Sequence, residues 1–431
     1  MIALYKEGQE MHDLASELWP FPRSLTGEGT RQTLAKFLML NPDMKVENFR
    51  TGDTVFDWTI PKQWDVRDCF LEHESGQRFA EFSRRNLHVL GYSAPLDEIL
   101  SLKDAHALIY TEPTQPDRIP YVTSYYKERA GFCMAQDEKD AMPEGNYRAF
   151  IDSELSDGEL QIGELYIAGD RSEEILFSTY VCHPSMANNE LSGPVLANSL
   201  AQYLQEKKAD RGLKYSYRLL FLVETIGSIA YLSRHWKELK KNVLAGFVLS
   251  CVGDERAYSH VQSPFADKLS DFALEAALIS KPNVKTYSFL ERGSDERQFC
   301  SPGIDLPVSG YCRSKYGTFP EYHTDADNLE FVTPLGLQGS YDVMKSIIDA
   351  FETCLRPRAT TKCEPQLGQR GLYPTISQKG SYDSVKLRTN ILAYARDQTV
   401  FELCKEINAP LYDVVQELEI LVQHDLIAQS E

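Results

Sequence analysis

The sequence predicts an α/β fold: a mixed sheet flanked by helices, interrupted by a small β-rich insertion and followed by a helical tail. Three observations carry this prediction. Apolar runs at 175–181, 217–223 and 245–252 have the length and the β-branched or aromatic content of buried strands. Helical spacing follows them at 194–207, 225–235 and 268–279. Polar residues stand where these strands should end, with His183 after the first, Glu224 after the second and Asp254 after the third. Open α/β sheets gather their sites at that edge.

In chain order, 1–18 reads as an amphipathic helix with Leu4, Met11, Leu14 and Leu18 on one side. The stretch 18–29 holds too many Pro and Gly for a helix and reads as a packing loop carrying Arg23, Ser24 and Thr26. A second helix is expected over 30–40. Short strand patterns at 55–61, 64–71, 121–126 and 147–151, punctuated by Pro95, Pro113, Pro116 and Pro120, mark the insertion. Its polar groups Arg84, Arg85, His88, Tyr125, Tyr126 and Lys127 read as ordinary strand and surface residues. The β-α-β pattern then runs from an alternating strand at 160–167 to a strand at 306–310 and a closing helix at 335–355. Pro194 falls near the first turn of its helix, where proline is tolerated. Three helices, 386–396, 400–407 and 411–424, have the pattern of a winged helix. The expected division is 1–51 with 166–355 as the α/β domain, 52–165 as the insertion and 356–431 as the tail.

Composition narrows the function. The chain has 431 residues and a formal net charge of -18, with 63 acidic against 45 basic residues. General affinity for nucleic acid or for an anionic membrane surface is therefore not expected. The tail is acidic too: residues 385–431 hold four basic and eight acidic side chains, a formal 4 - 8 = -4. It is expected to pack or dimerise rather than to bind DNA. No signal-peptide core and no membrane-length apolar run is seen. Nine scattered cysteines without a Cys-x-x-Cys pair point to the reducing cytoplasm.

The chemistry centres on 183–193 and 319–328. His183 leaves a strand, Pro184 stops further pairing, and Asn188, Asn189 and Glu190 form a polar turn before the next helix. His323 lies in a later loop. Two imidazoles and nearby carboxylates at one sheet edge suit zinc or a similar divalent ion. A nearby Glu can then accept the proton of an attacking water.

These residues carry a resemblance. The run Ala-Asn-Asn-Glu-Leu-Ser-Gly at 187–193, Glu-Thr-Ile-Gly at 224–227, Gly-Ser-Asp-Glu-Arg-Gln-Phe at 293–299 and Tyr-His-Thr-Asp-Ala-Asp-Asn-Leu at 322–329 resemble motifs of the two-metal zinc aminopeptidase family. More closely, the whole chain is similar to bacterial aminopeptidase-like proteins encoded among polysaccharide-biosynthesis genes, which carry a β insertion and a C-terminal winged helix. The resemblance implies that His183 and His323 are metal ligands and that Glu224 is the general base. Arg292, Asp295, Glu296 and Tyr322 would then contact substrate. The family's bridging Asp falls on Asn189, its second Glu on Thr225, a strand Asp near Ser250, and the His of Ser-Asp-His on Glu296. An amide is a poor substitute for a carboxylate that neutralises two cations at once. One ion, zinc, is therefore expected, held by His183, His323 and an oxygen of Asn189 or Glu190. Two functions follow as expectations. The first is a metal-dependent hydrolase of an amide bond in a small peptide-like or amino-sugar precursor. The alternative is a non-catalytic binding protein that keeps the fold without the dinuclear site. A homo-oligomer, formed through the tail or the insertion, accompanies either reading.

Overall fold

The computed structural model describes residues 5–125, 127–373 and 383–429. Leu4 of the expected first helix and Tyr126 of the expected strand at 121–126 lie outside them. The main sheet has eight strands: β1 (Lys45–Arg50), β2 (Glu159–Ile167), β3 (Glu174–Tyr180), β4 (Ser216–Leu222), β5 (Val243–Leu249), β6 (Tyr258–Val261), β7 (Val284–Tyr287) and β8 (Val308–Cys312). Their order is β1-β2-β4-β3-β5-β8-β6-β7. The four central strands β4, β3, β5 and β8 are parallel, with Phe177 of β3 opposite Leu219 of β4 and Phe247 of β5. On one side β2 and β1 join antiparallel; on the other, β6 runs against β8 and with β7. Every residue of β3 and β4 is buried, as a strand covered on both faces requires.

The strand period of two sorts the core into two layers. Ile175, Phe177 and Leu219 face helices α1 (Lys6–Leu18), α3 (Ser192–Arg211), α5 (Leu269–Leu278) and α6 (Pro334–Cys354). Their neighbours Leu176 and Leu220 face helix α4 (Ile226–Asn242) and the insertion. Helix α2 (Glu28–Leu40) sends Leu34 and Phe37 into the first layer.

In the insertion, strand Gln63–His73 pairs antiparallel with Asn146–Ser156, and Leu96–Ser101 and Arg78–Phe79 complete a four-stranded sheet. The expected boundary at 165 moves back, because Glu159–Ile167 pairs with β1 and β4 in the main sheet. The expected strand at 55–61 is a tight hairpin, Thr54–Val55 against Trp58–Thr59. Residues 121–125 form no strand; Pro120 and Thr123 make only isolated bridges, to Thr324 and Gly91. A proline beside the segment removes a ladder donor.

Helices α7 (Asp383–Tyr394), α8 (Val400–Ile407) and α9 (Leu411–Gln423) follow, and strand Ile427–Gln429 pairs with Pro357–Ala359. Thr399 caps α8 reciprocally with Glu402. Leu403, Leu418 and Leu421 belong to the same apolar cluster as α5 and α6, so the tail is fused to the main core. Among the described residues no helix is long and apolar enough to cross a membrane.

Candidate metal and catalytic site

The site begins where β3 ends. Pro184 stops pairing, Ser185 takes a positive φ of 47°, and Ala187–Leu191 form one π-helical turn before α3. Gly193 lets that turn sit close to the sheet: a Cβ there would lie 2.2 Å from Thr179 Oγ1 and 2.4 Å from the Leu249 carbonyl oxygen. Asp327 clamps the turn from the far loop, accepting from the backbone N–H groups of Asn188 at 2.6 Å and Asn189 at 2.9 Å. Burial pushes its carboxyl up to about 7 despite these donors.

His183 and His323 come together as expected, their ring centroids 5.6 Å apart. His183 Nδ1 meets Glu190 Oε2 at 2.8 Å, which leaves Nε2 facing Glu224 Oε2 at 3.6 Å. His323 Nε2 lies 3.0 Å from Asn189 Oδ1, and Asn189 Nδ2 donates to the Tyr180 hydroxyl at 3.2 Å. Burial lowers both imidazoles to about 3, with a second contribution from Arg23 for His183 and from His183 for His323. Both rings are therefore neutral at pH 7 and keep a lone pair for a ligand. Burial also raises the Glu190 carboxyl to about 8, against the pull of Arg23. The Glu190–His183 contact is an uncharged pair at neutral pH, and Glu190 holds the orientation of the ring from behind.

Arg23 is the residue that orders this corner. It is fully buried; its Nε donates to the His183 carbonyl at 3.0 Å and its Nη1 to the Leu18 carbonyl at 2.6 Å. The packing role expected for the 18–29 loop thus reaches the backbone of the site.

Glu224 sits at the mouth of β4. Burial, and next the Asp295 charge, raise its carboxyl well above the ordinary range. Thr225, beside it, takes φ 64°, a strained conformation for a β-branched residue. Asp295 Oδ1 holds that backbone, accepting from Thr225 N and Ser228 Oγ, both at 2.8 Å. Burial raises Asp295 to about 6.

Other expected residues fall elsewhere. Arg292 is exposed, lies over the Phe289 ring at 4.7 Å and donates to the Phe289 carbonyl, so it turns away from the cleft. Arg297 lines the cleft instead and donates to Thr225 Oγ1. Glu296 points inward, accepting from Gly293 N, Ser294 N and Tyr316 Oη. Tyr322 stacks on His323 at 3.9 Å. Asp254 is scaffolding: it accepts from Asn188 Nδ2, Arg256 N and Ser314.

The cleft in front of these groups encloses about 670 Å³, between His183, Glu224, His323 and Arg297 on one side and Trp58, Ile60, Tyr121 and Tyr125 of the insertion on the other. Tyr121 packs against both imidazoles, its ring 5.1 Å from His183 and 5.2 Å from His323. The sequence singled out neither Tyr121 nor Trp58, since aromatic residues in a β-rich segment look like core. Asp327 is visible only as one letter of the Tyr-His-Thr motif.

His183 and His323 line the cleft, and Asn189 Oδ1 stands 3.0 Å from His323 Nε2, so imidazole nitrogens and an amide oxygen of the kind a divalent ion takes lie together. Among the described residues, one group brings three thiol, imidazole or carboxylate ligand atoms within 4.8 Å of one another: Cys182, His183 and Glu190. His323 is not in it. Cys182 Sγ accepts from Glu224 N at 3.3 Å, and burial raises its thiol well above the usual value, so it enters the site as a neutral neighbour.

A family model described as a domain of unknown function (DUF4910) matches residues 12–354, and a winged helix-turn-helix model matches 355–429. The chain belongs to this family. A Clostridium acetobutylicum protein, provisionally named a polysaccharide biosynthesis protein with aminopeptidase-like domain, is 42% identical over 379 residues, 87% of this chain and 85% of that one. A crystal structure from the same organism, provisionally named a peptidase, superposes with TM-score 0.90 at 36% identity over 99% of this chain and 97% of that chain. Fold alone is shared with a zinc aminopeptidase of Bacillus subtilis, at TM-score 0.56 and 13% identity, over 79% of this chain and 94% of that chain. The aminopeptidase-like α/β fold and winged-helix tail expected from the motifs are thereby shown.

Proposed function

We propose that this protein is a single-metal amide hydrolase acting on a small peptide-like or amino-sugar precursor, in polysaccharide biosynthesis. The observation that carries the reading is the convergence of two neutral histidines, an amide oxygen and a raised Glu224 carboxyl on one cleft. His183 Nε2, His323 Nε2 and Asn189 Oδ1 would hold the ion. When bound, such an ion polarises a carbonyl and acidifies water. Every other role falls to the chain. Glu190 and Arg23 hold His183, and Asp327 holds the Asn188–Asn189 backbone. Glu224, whose carboxyl burial and the Asp295 charge raise well above the ordinary range, accepts the proton of the attacking water and returns it to the leaving amine. Arg297 tempers the acid excess around it. Tyr121, Tyr125 and Trp58 screen the cleft from bulk water.

The rival reading, a binding protein, draws on Asn189 and Thr225, which stand where carboxylates would hold a second ion. Metal content of protein purified without added metal, with a hydrolysis screen of amino-acid amides and acylated amino sugars, separates the two. One equivalent of metal, lost in both His183→Ala and His323→Ala, together with turnover supports the hydrolase. Unchanged metal content in both variants removes the proposed site.

A further inference from the structure

We infer that the inserted hairpin builds a second, apolar compartment of the cleft, and that it takes an aromatic or branched-aliphatic group of the substrate. The inference rests on the reading of the cleft as the substrate site. A hollow of about 390 Å³ lies beside the cleft, walled by Phe56 and Trp58 of the hairpin, Ile229, Leu232 and Trp236 of α4, and Ile304. Trp58 and Gln298 line both spaces, so the hollow adjoins the cleft across a shared wall. Its floor is preformed, because Ile229 and Leu232 are buried on the face of α4 that meets the sheet.

The hairpin itself argues for use. Phe56 occupies the first central position of a two-residue turn at φ 52°, where glycine is favoured. The residue remains 52% exposed, so burial in the fold does not offset that strain. An aromatic side chain kept in a costly conformation at the rim of a hollow is placed for something outside the fold. The lining decides the chemistry. Apolar side chains dominate, and Asp57, Gln298 and Ser301 are the polar ones; a sugar ring would shed water there and find few partners. An apolar substituent would shed only unfavourable hydration.

Binding to full-length Glu224→Gln protein tests this without turnover, so failure of the hydrolase reading leaves the result intact. The probes are phenylalanine anilide, glycinamide and N-acetylglucosamine. Tryptophan fluorescence reports directly, since two of the chain's four tryptophans line the hollow. The anilide should bind at least about tenfold more tightly than glycinamide, roughly what one or two buried methylene groups supply. Phe56→Gly should weaken the anilide about threefold or more, leave glycinamide unchanged, and keep or raise the melting temperature by relieving the turn. A merely structural Phe56 would lower the melting temperature and leave both affinities alone. Trp236→Ala should weaken the anilide in the same way. Equal affinities, undetectable anilide binding, tighter N-acetylglucosamine binding, or unaltered affinity in both variants overturns the inference. So does a dimer that Phe56→Gly converts to monomer, which would mean that a second copy fills the hollow.

Discussion

At the scale of single residues, charge in a buried cleft decides the behaviour of the site. Glu224→Gln keeps size and hydrogen bonding but removes the proton acceptor. It should lower turnover by about two to four orders of magnitude while metal content and melting temperature hold. The null outcome, normal turnover with reduced stability, would make Glu224 a helix-end residue only. Asn189→Asp returns an anion to the turn and should tighten the single ion, measured by chelator competition. Glu190 makes a prediction about stability. Its carboxyl is raised to about 8 in the fold, against an ordinary 4.5. Between these values the folded state keeps a proton that the unfolded chain has lost, so this contribution falls as pH rises from about 5 to 8. Metal-free Glu190→Gln should therefore lose less melting temperature than wild type over that interval. An equal or larger loss would show that Glu190 is ionised in the fold.

At the scale of elements, close approach places the polar turn. Helix α3 begins against β3 and β5, and Gly193 leaves no room for a methyl group between Thr179 Oγ1 and the Leu249 carbonyl. Gly193→Ala should cost about 1–3 kcal/mol, the usual penalty of overpacking, and should weaken metal binding by displacing Asn189. Denaturant unfolding with metal titration checks both; unchanged values would show that the turn yields freely. Strands β6 and β7 escaped the sequence reading because they are four residues each, too short for a period to show. The expected strand at 121–126 fails for a different reason. Its aromatic residues suit a pleated sheet, but Tyr121 N donates to the His323 carbonyl at 2.8 Å, and the segment serves as a wall of the cleft.

At the scale of the whole molecule, the tail is a structural partner of the α/β domain. Helix α9 packs on α6 and α8 on α5, and Lys405 pairs with Glu275 across the junction at 2.7 Å. Helix α9 carries Asp413, Glu417 and Glu419, and Glu417 is engaged by Arg388 at 2.9 Å. The full-length chain should not shift random duplex DNA at submicromolar concentration in moderate salt; a salt-sensitive shift would contradict this.

Features that repeat with a period or stay within a few neighbours can be read from the residues alone. Apolar runs named the central strands, helical spacing named the helices that cover them, and His183, Asn189, Glu190 and Glu224 were legible because each follows a strand it can be counted from. His323 needed its motif as well. Which side chains face one another across long separations emerges when the chain folds. Arg23 reaches the His183 carbonyl over 160 residues, and Asp327 clamps the Asn189 backbone over 138. Arg292, adjacent in sequence to the site, turns out to solvent, while Arg297 turns in. The reason is physical: strands and helices are specified by local spacing, whereas a site is specified by which buried polar group finds its partner when distant elements meet, and no local pattern encodes that meeting.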